Sequence, residues 1–430
     1  MVASNWKNLL SLSAKVSPNK SDGHFFWYYR RLAAEFGDDN WVAVVGPKTQ
    51  TDAASVWWLP VLSLPKGRAP FSPRPRRTFR ADMKAISQII EAASTQSHPA
   101  IQFYDGCLDD LVALCYLAPR YPDSAFIFNF RPGKYWIPIL SRDKKLFHLL
   151  QGVFGHTPRN VFLTAETPAL CAEISRQIGV NPEIYPLYSA QEFVPDVAFG
   201  GREIDVSFFP KSQPELELCV QLVNKLRGIV DHQVLVVIPS GVFEKSGGRE
   251  PRGFNQIIVG PVEADKYREI FENSKVIFLP YMKQYFQYGS SGKFNDALLA
   301  GAIPLVPEGS APLGQTKGQG KQPEFEFDPE DISGTVLKLE GLLQRSEGFS
   351  EKESGVTFED FRMFVIGKVE VLKVSDDHPL RGWSRSIWRL ASVYGGLIVV
   401  QAYCFSKAQS LRDFFYRATR KVARLIGLRG

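Results

Sequence analysis

Short uninterrupted apolar runs recur along the chain and alternate with longer amphipathic stretches. The runs include NLLSLSAK from Asn8, WVAVVGP, AIQFY, AFIFNF, NVFLTA, IDVSFFP, QVLVVIP, QIIVGPV and VIFLP from Val276. Unbroken apolar runs of strand length suit strands buried on both faces, the pattern of parallel sheets. The stretches between them read as helices: FFWYYRRLAAEF, Ala81 to Ala93, LDDLVALCYLA, a helix after Thr167-Pro168, one from Pro214, and ADKYREIFENS. Thr167 suits an N-cap and Pro168 the first helical position. Such an alternation predicts an α/β fold with parallel sheets. At 430 residues the chain exceeds one typical core and predicts at least two domains. The run Tyr185 to Gly201, with its prolines and glycines, reads as the linker. We therefore expect a first domain over residues 1–190, a second over 203–380 and a separate tail over 381–430. Lys66 to Arg80, rich in Pro and Arg, predicts an exposed loop, and Gly314 to Asp331, rich in Gly, Gln and Lys, a mobile one.

Candidate chemistry concentrates in VIFLPYMKQYFQYGSSGKFNDALLAGAIPLV, residues 276 to 306. The pattern is a buried strand, a polar loop, a short helix opening at Ser291-Gly292-Lys293, a stop at Gly301 and a second buried strand from Ile303. Open α/β sheets bind ligands at the carboxyl ends of their strands, where this loop and helix start must lie. Ser290, Ser291 and Gly292 are small and leave helix N–H groups open to a phosphate. Lys293 adds a cation where the helix dipole alone disfavours one, so an anionic ligand explains its place. Asp296, one turn on, supplies an acceptor suited to the ribose hydroxyls of a nucleotide.

The stretch SSGKFNDALLAGAIPLVP resembles the carboxyl-terminal signature of GT-B glycosyltransferases of the retaining, family 4 type. The resemblance implies two Rossmann-like domains facing across a cleft, with a nucleotide-sugar donor on the second and an acceptor on the first. It implies that Asp296 holds the ribose, although the family usually has Glu there, and that the first Glu of its Glu-x7-Glu pair falls on Tyr288. Gly23 matches the second glycine of the family's first loop, with Asp22 at the first. Lys211, after the strand IDVSFFP, matches the first member of a basic pair that neutralises the donor diphosphate; Glu215 and Leu216 stand where the second is expected. Gly260 ends a strand where the family holds the base and ribose through main-chain groups. Asp105 follows the strand AIQFY and is the candidate acceptor-side group or base. The implied reaction is glycosyl transfer to a hydroxyl of a glycan, a lipid-linked acceptor or a cell-surface polysaccharide precursor. The implied catalytic set is Lys293, Lys211 and Asp105, with no metal and no cofactor beyond the nucleotide-sugar substrate.

Composition narrows the setting. Hydrophobic residues make up 44% and charged residues 22%, as in an ordinary globular protein. The net charge of +6 is unevenly spread. Residues 381–430 hold ten Lys or Arg against the single Asp413, a local charge of +9, which leaves −3 for everything before them. No common nucleic-acid-binding motif accompanies the basic tail. Within residues 408–430, Phe414, Phe415, Leu425 and Ile426 lie among Arg412, Arg417, Arg420, Lys421 and Arg424, a basic amphipathic pattern suited to an anionic membrane surface. The uncharged run Leu390 to Phe405 is shorter than a spanning helix needs and fits a crossover helix instead. Cys107, Cys115, Cys171, Cys219 and Cys404 are scattered, without a C-x-x-C pair, and read as reduced core residues. The first thirty residues show no secretory pattern. Together these predict a cytoplasmic protein, peripheral on the membrane if the tail engages it.

Two other classes fit parts of the pattern. A non-catalytic GT-B relative that binds a sugar nucleotide or a protein tolerates Tyr288 in place of Glu. A nucleotide-sugar epimerase needs carboxylates and a histidine near the sugar, for which His24 is the candidate.

Overall fold

The computed structural model describes residues 9–12, 41–45, 58–60, 76–94, 99–104, 117–130, 157–226, 232–282, 286–315, 323–345 and 355–372, with single positions such as Tyr28, Arg31 and Leu32 between them. Two sheets carry these residues. The first contains β1 (Leu9–Leu12), β2 (Trp41–Val45), β3 (Trp58–Pro60), β4 (Ala100–Phe103), β5 (Ala125–Asn129), β6 (Val161–Ala165) and β7 (Glu183–Ile184), in the order 3-2-1-4-5-6-7. The second contains β8 (Ile204–Phe208), β9 (Val234–Ile238), β10 (Gln256–Val259), β11 (Ser274–Phe278), β12 (Ile303–Pro307) and β13 (Glu326–Phe327), in the order 10-9-8-11-12-13. Every recorded pairing is parallel. Both orders are the doubly wound one, which reverses between β1 and β4 and between β8 and β11 and opens a crevice at the carboxyl ends of those strands. The two domains are Rossmann-like, as expected for GT-B.

The buried apolar runs explain the sheets. β4, β5, β9 and β12 are buried along their whole length, so helices must cover both faces. The described helices are α1 (Arg76–Ser94), α2 (Pro168–Ile178), α3 (Gln213–Leu226), α4 (Ser240–Lys245), α5 (Ala264–Asn273), α6 (Gly292–Leu299), α7 (Ile332–Leu343) and α8 (Phe358–Val371). α2 starts as its sequence predicts: the Thr167 hydroxyl accepts from Leu170 N, Pro168 opens the helix, and Gly179 closes it at φ 73°. No helix among the described residues is long and apolar enough to cross a membrane.

Three local expectations change. Arg76 to Arg80 are helical, the first turns of α1, rather than the end of an exposed loop. Past Pro75 that segment holds no breaker, and Arg is a good helix former. Part of the Gly-, Gln- and Lys-rich run is ordered: Phe325 and Phe327 are buried, and β13 pairs with β12. Two buried phenylalanines outweigh the polar composition around them. The polar stretch between the run QVLVVIP and Gly253 reads as a loop, yet it contains α4.

α8, beyond the second sheet in sequence, packs on the first domain. Thr357 and Asp360 form a capping box at its start. Its buried face, Phe358, Phe361 and Val365, shares one core cluster with Leu9, Tyr28, Ala100, Tyr104, Ile127, Tyr185 and Tyr188 of the first domain and the linker. Residues 358–371 thus make the return crossover. The runs 390–405 and 408–430 lie outside the described residues.

Candidate functional site

A cavity of about 630 Å³ opens where the sequence places the site, at the carboxyl ends of β8, β9, β10 and β11. Its lining includes Lys211 after β8, Ser240 after β9, Gly260 after β10, and Ser290, Ser291, Gly292, Lys293 and Asp296 around the start of α6. The linker closes one side through Ala190 and Gln191. Six residues named from the sequence therefore meet within one cavity, alongside Lys211. Gly23, Asp105 and His24 lie outside the described residues.

The start of α6 follows from local chemistry. The Ser291 hydroxyl caps the helix by accepting from Phe294 N at 3.2 Å. The N–H groups of Gly292 and Lys293, in the first helical turn, fall outside the helix's own ladder. Gly301, at φ 65°, ends the helical segment as expected. Ser291 is itself held by the Tyr281 hydroxyl.

Lys211 is set in place by a residue that sequence reasoning did not use. Glu215, 4% exposed, accepts from Lys211 N at 2.5 Å and from Met282 N at 3.1 Å. One buried carboxylate thus ties the β8 loop to the segment after β11. The Lys211 ammonium lies 4.4 Å from the Tyr281 ring centroid and 4.5 Å from that of Phe286. Those two rings stack at 3.8 Å. Lys211 and the Ser291 turn therefore share Tyr281 as a common support.

Lys293 and Asp296 are both affected by burial. The Lys293 ammonium stands 5.1 Å from the Phe209 ring and 5.4 Å from the Tyr267 ring. Burial pushes its pKa below the ordinary lysine value, and the charge of Asp296 opposes that shift. Burial raises the Asp296 carboxyl above its ordinary value, opposed by hydrogen bonds from Ser189 and Tyr267 and then by Lys293. The Ser189 hydroxyl donates to Oδ1 at 2.6 Å and the Tyr267 hydroxyl to Oδ2 at 2.7 Å. Each oxygen has a second lone pair. Asp296 thus lines the cavity and also anchors the linker to the second domain.

The first domain reaches the same loop. Glu166, 4% exposed, follows β6 and accepts from the Ser290 hydroxyl, while Thr167 Oγ1 donates to the Tyr288 carbonyl at 3.1 Å. Tyr288 thus contributes its backbone to the domain contact. Glu166 was not singled out from the sequence, although a carboxylate directly between a buried strand and an N-cap was there to be seen.

The chain matches no protein-family model and no curated protein in sequence. Solved structures resemble it in overall form. One is the sucrose-phosphate synthase of Thermosynechococcus elongatus, 12% identical, with TM-score 0.48 over 91% of this chain and 99% of that one. Another is the α,α-trehalose 6-phosphate synthase of Burkholderia multivorans, at 13% and 0.44 over 90% and 99%. A third is the UDP-GlcNAc 2-epimerase of Methanocaldococcus jannaschii, at 10% and 0.46 over 84% and 99%.

Proposed function

We propose that the protein is a glycosyltransferase that moves a sugar from a nucleotide diphosphate to a hydroxyl acceptor. The observation that supports this reading is the convergence of Lys211, Lys293 and the open N–H groups of α6 on one cavity. Two cations and a helix start suit a diphosphate. As the bond between the sugar and the diphosphate breaks, negative charge builds on the leaving phosphate. Donors already aimed at that charge stabilise the transition state. In this reading Asp296 accepts from the ribose and Gly260 offers main-chain groups to the base. The acceptor hydroxyl enters from the first domain, on the side where Asp105 is expected, and belongs to a glycan or lipid-linked glycan. Retention of configuration is what the family resemblance implies.

Thermal-shift titration with UDP-, GDP-, ADP- and CMP-linked sugars tests the reading. A ligand at 100 times its dissociation constant stabilises the native state by about 2.7 kcal/mol. We expect one nucleotide class to shift the wild type and Lys293→Ala to lose most of that shift. The absence of a shift with every class would overturn the proposal.

A further inference from the structure

The loop after β11 puts an aromatic ring on the cavity wall that the diphosphate reading does not use. Phe286 lines the cavity shortly before Ser290 and Ser291 in the chain. Tyr281, 2% exposed, lies against one face of it, the ring centres 3.8 Å apart and the planes within 12° of parallel. The Lys211 ammonium is almost equidistant from the two ring centres, at 4.4 and 4.5 Å. A point equidistant from two stacked rings is level with the gap between them, so the lysine stands beside the pair and off the outer face of Phe286. What Phe286 turns to the cavity is therefore that outer face and the edge next to Lys211.

Sheet order decides which part of a ligand reaches this ring. The strand ends that open on the cavity run β10, β9, β8, β11, and the segments after them carry Gly260, Ser240, Lys211 and Phe286 in that order. A nucleotide sugar held as proposed above has its base at Gly260 and its diphosphate at Lys211 and the start of α6. The group beyond the terminal phosphate then comes to the loop after β11. An aromatic face offers nothing to a phosphate, because the face itself carries partial negative charge. It suits an apolar surface. A pyranose presents one, since its axial C–H groups lie on the faces of the sugar ring while equatorial hydroxyls point outward. We propose that Phe286 is the platform on which the transferred sugar stacks. This rests on the nucleotide-sugar reading and deepens it: the donor sugar is a pyranose with an open C–H face, and Phe286 is the residue that tells the conjugate from the bare nucleotide. Tyr281 backs the platform, and the same pair of rings flanks Lys211, so one stack aligns the sugar with its leaving phosphate.

The test compares the affinities of UDP, GDP and ADP with those of UDP-glucose, UDP-N-acetylglucosamine, GDP-mannose and ADP-glucose. It is run on the full chain and on Phe286→Leu, which keeps apolar bulk and removes the ring. For the nucleotide class that the wild type binds, the expected result is that Phe286→Leu weakens a conjugate about two- to tenfold more than it weakens the nucleotide alone. Proton NMR of the same conjugate in exchange with the wild type gives a second measurement on the unmodified protein. The ring current of Phe286 should move the ring protons of the transferred sugar upfield, and the shift should vanish in Phe286→Leu. Equal weakening of nucleotide and conjugate would make Phe286 a support for Lys211 only and overturn the platform. Unshifted sugar protons in the wild type would overturn it as well, whether or not the variant folds. If the wild type binds nucleotides but gains nothing from any of the sugars, the platform falls and the diphosphate site stands; if it binds no nucleotide at all, both fall.

Discussion

Lys293 is held where burial and the positive end of α6 oppose its charge, while the Asp296 carboxylate and the ring faces of Phe209 and Tyr267 favour it. An anion beside it reverses the balance. In the ligand-free protein the lysine releases its proton at a lower pH than a free lysine, whose ordinary value is 10.5. Between those two values the unfolded chain binds the extra proton, so the ligand-free protein gains stability as pH rises there. Nucleotide affinity moves the other way, because only the charged lysine pairs with a phosphate. We expect the affinity for a nucleoside diphosphate to fall as pH rises toward 10.5, with Lys293→Arg flattening the fall. Calorimetric titration from pH 7 upward checks this; a wild-type curve as flat as that of the arginine variant would show that Lys293 does not meet the phosphate. The sequence made Lys293 and Asp296 legible, because a cation and a carboxylate one turn apart at a helix start are a local pattern. The donors to Asp296 were not legible: Ser189 lies 107 residues away and Tyr267 lies 29 away. Only folding brings them together.

At the scale of elements, α6 does two jobs. Its first turn faces the cavity, and Asn295 on its flank binds both backbone groups of Val356, donating to the carbonyl at 3.0 Å and accepting from the N–H at 2.7 Å. Beside this pair a Cβ on Gly355 would come within 2.7 Å of Leu299 Cδ2, so the chain here runs too close to α6 for a side chain. The approach to α8 is therefore moulded on the helix that holds the candidate phosphate site. Asn295→Ala would leave two backbone groups without their partner, and we expect a loss of about 2 kcal/mol. Urea unfolding of the variant checks it, and a midpoint equal to that of the wild type would mean the backbone groups find other partners. The ends of α6 were readable because Ser291 and Gly301 act through local rules of capping and stopping. Asn295 carried no such signal, since an asparagine inside a helix says nothing about what it meets. The same contrast explains β13: composition pointed to a loop around Phe325, and burial of Phe325 and Phe327 decided otherwise.

For the whole molecule, the alternation of apolar runs and amphipathic stretches was enough to read two parallel sheets. β4, β5, β9 and β12 are buried along their whole length, and each connection is long enough for a crossover. How the domains are joined depends on contacts between distant residues. Phe361, fully buried, lies 5.8 Å from the Tyr185 ring and 4.8 Å from the Tyr188 ring. Tyr185 in turn shares its hydroxyl with Tyr28 at 2.6 Å and with Gln102 at 2.8 Å. A residue beyond the last strand of the second sheet thus completes the core of the first domain. Cutting a buried phenylalanine to alanine typically costs about 3–5 kcal/mol. Phe361→Ala should take most of that from the first domain, since the rings it leaves behind belong there and to the linker. Hydrogen exchange resolves the two domains: we expect protection to fall in β4 and β5, with β9 and β11 little changed. Losses confined to β9 and β11 would mean that α8 stabilises the domain it follows in the chain. The crossover would then be a passive strap, and contact between the domains would rest on pairs such as Ser189–Asp296, Glu166–Ser290 and Thr167–Tyr288.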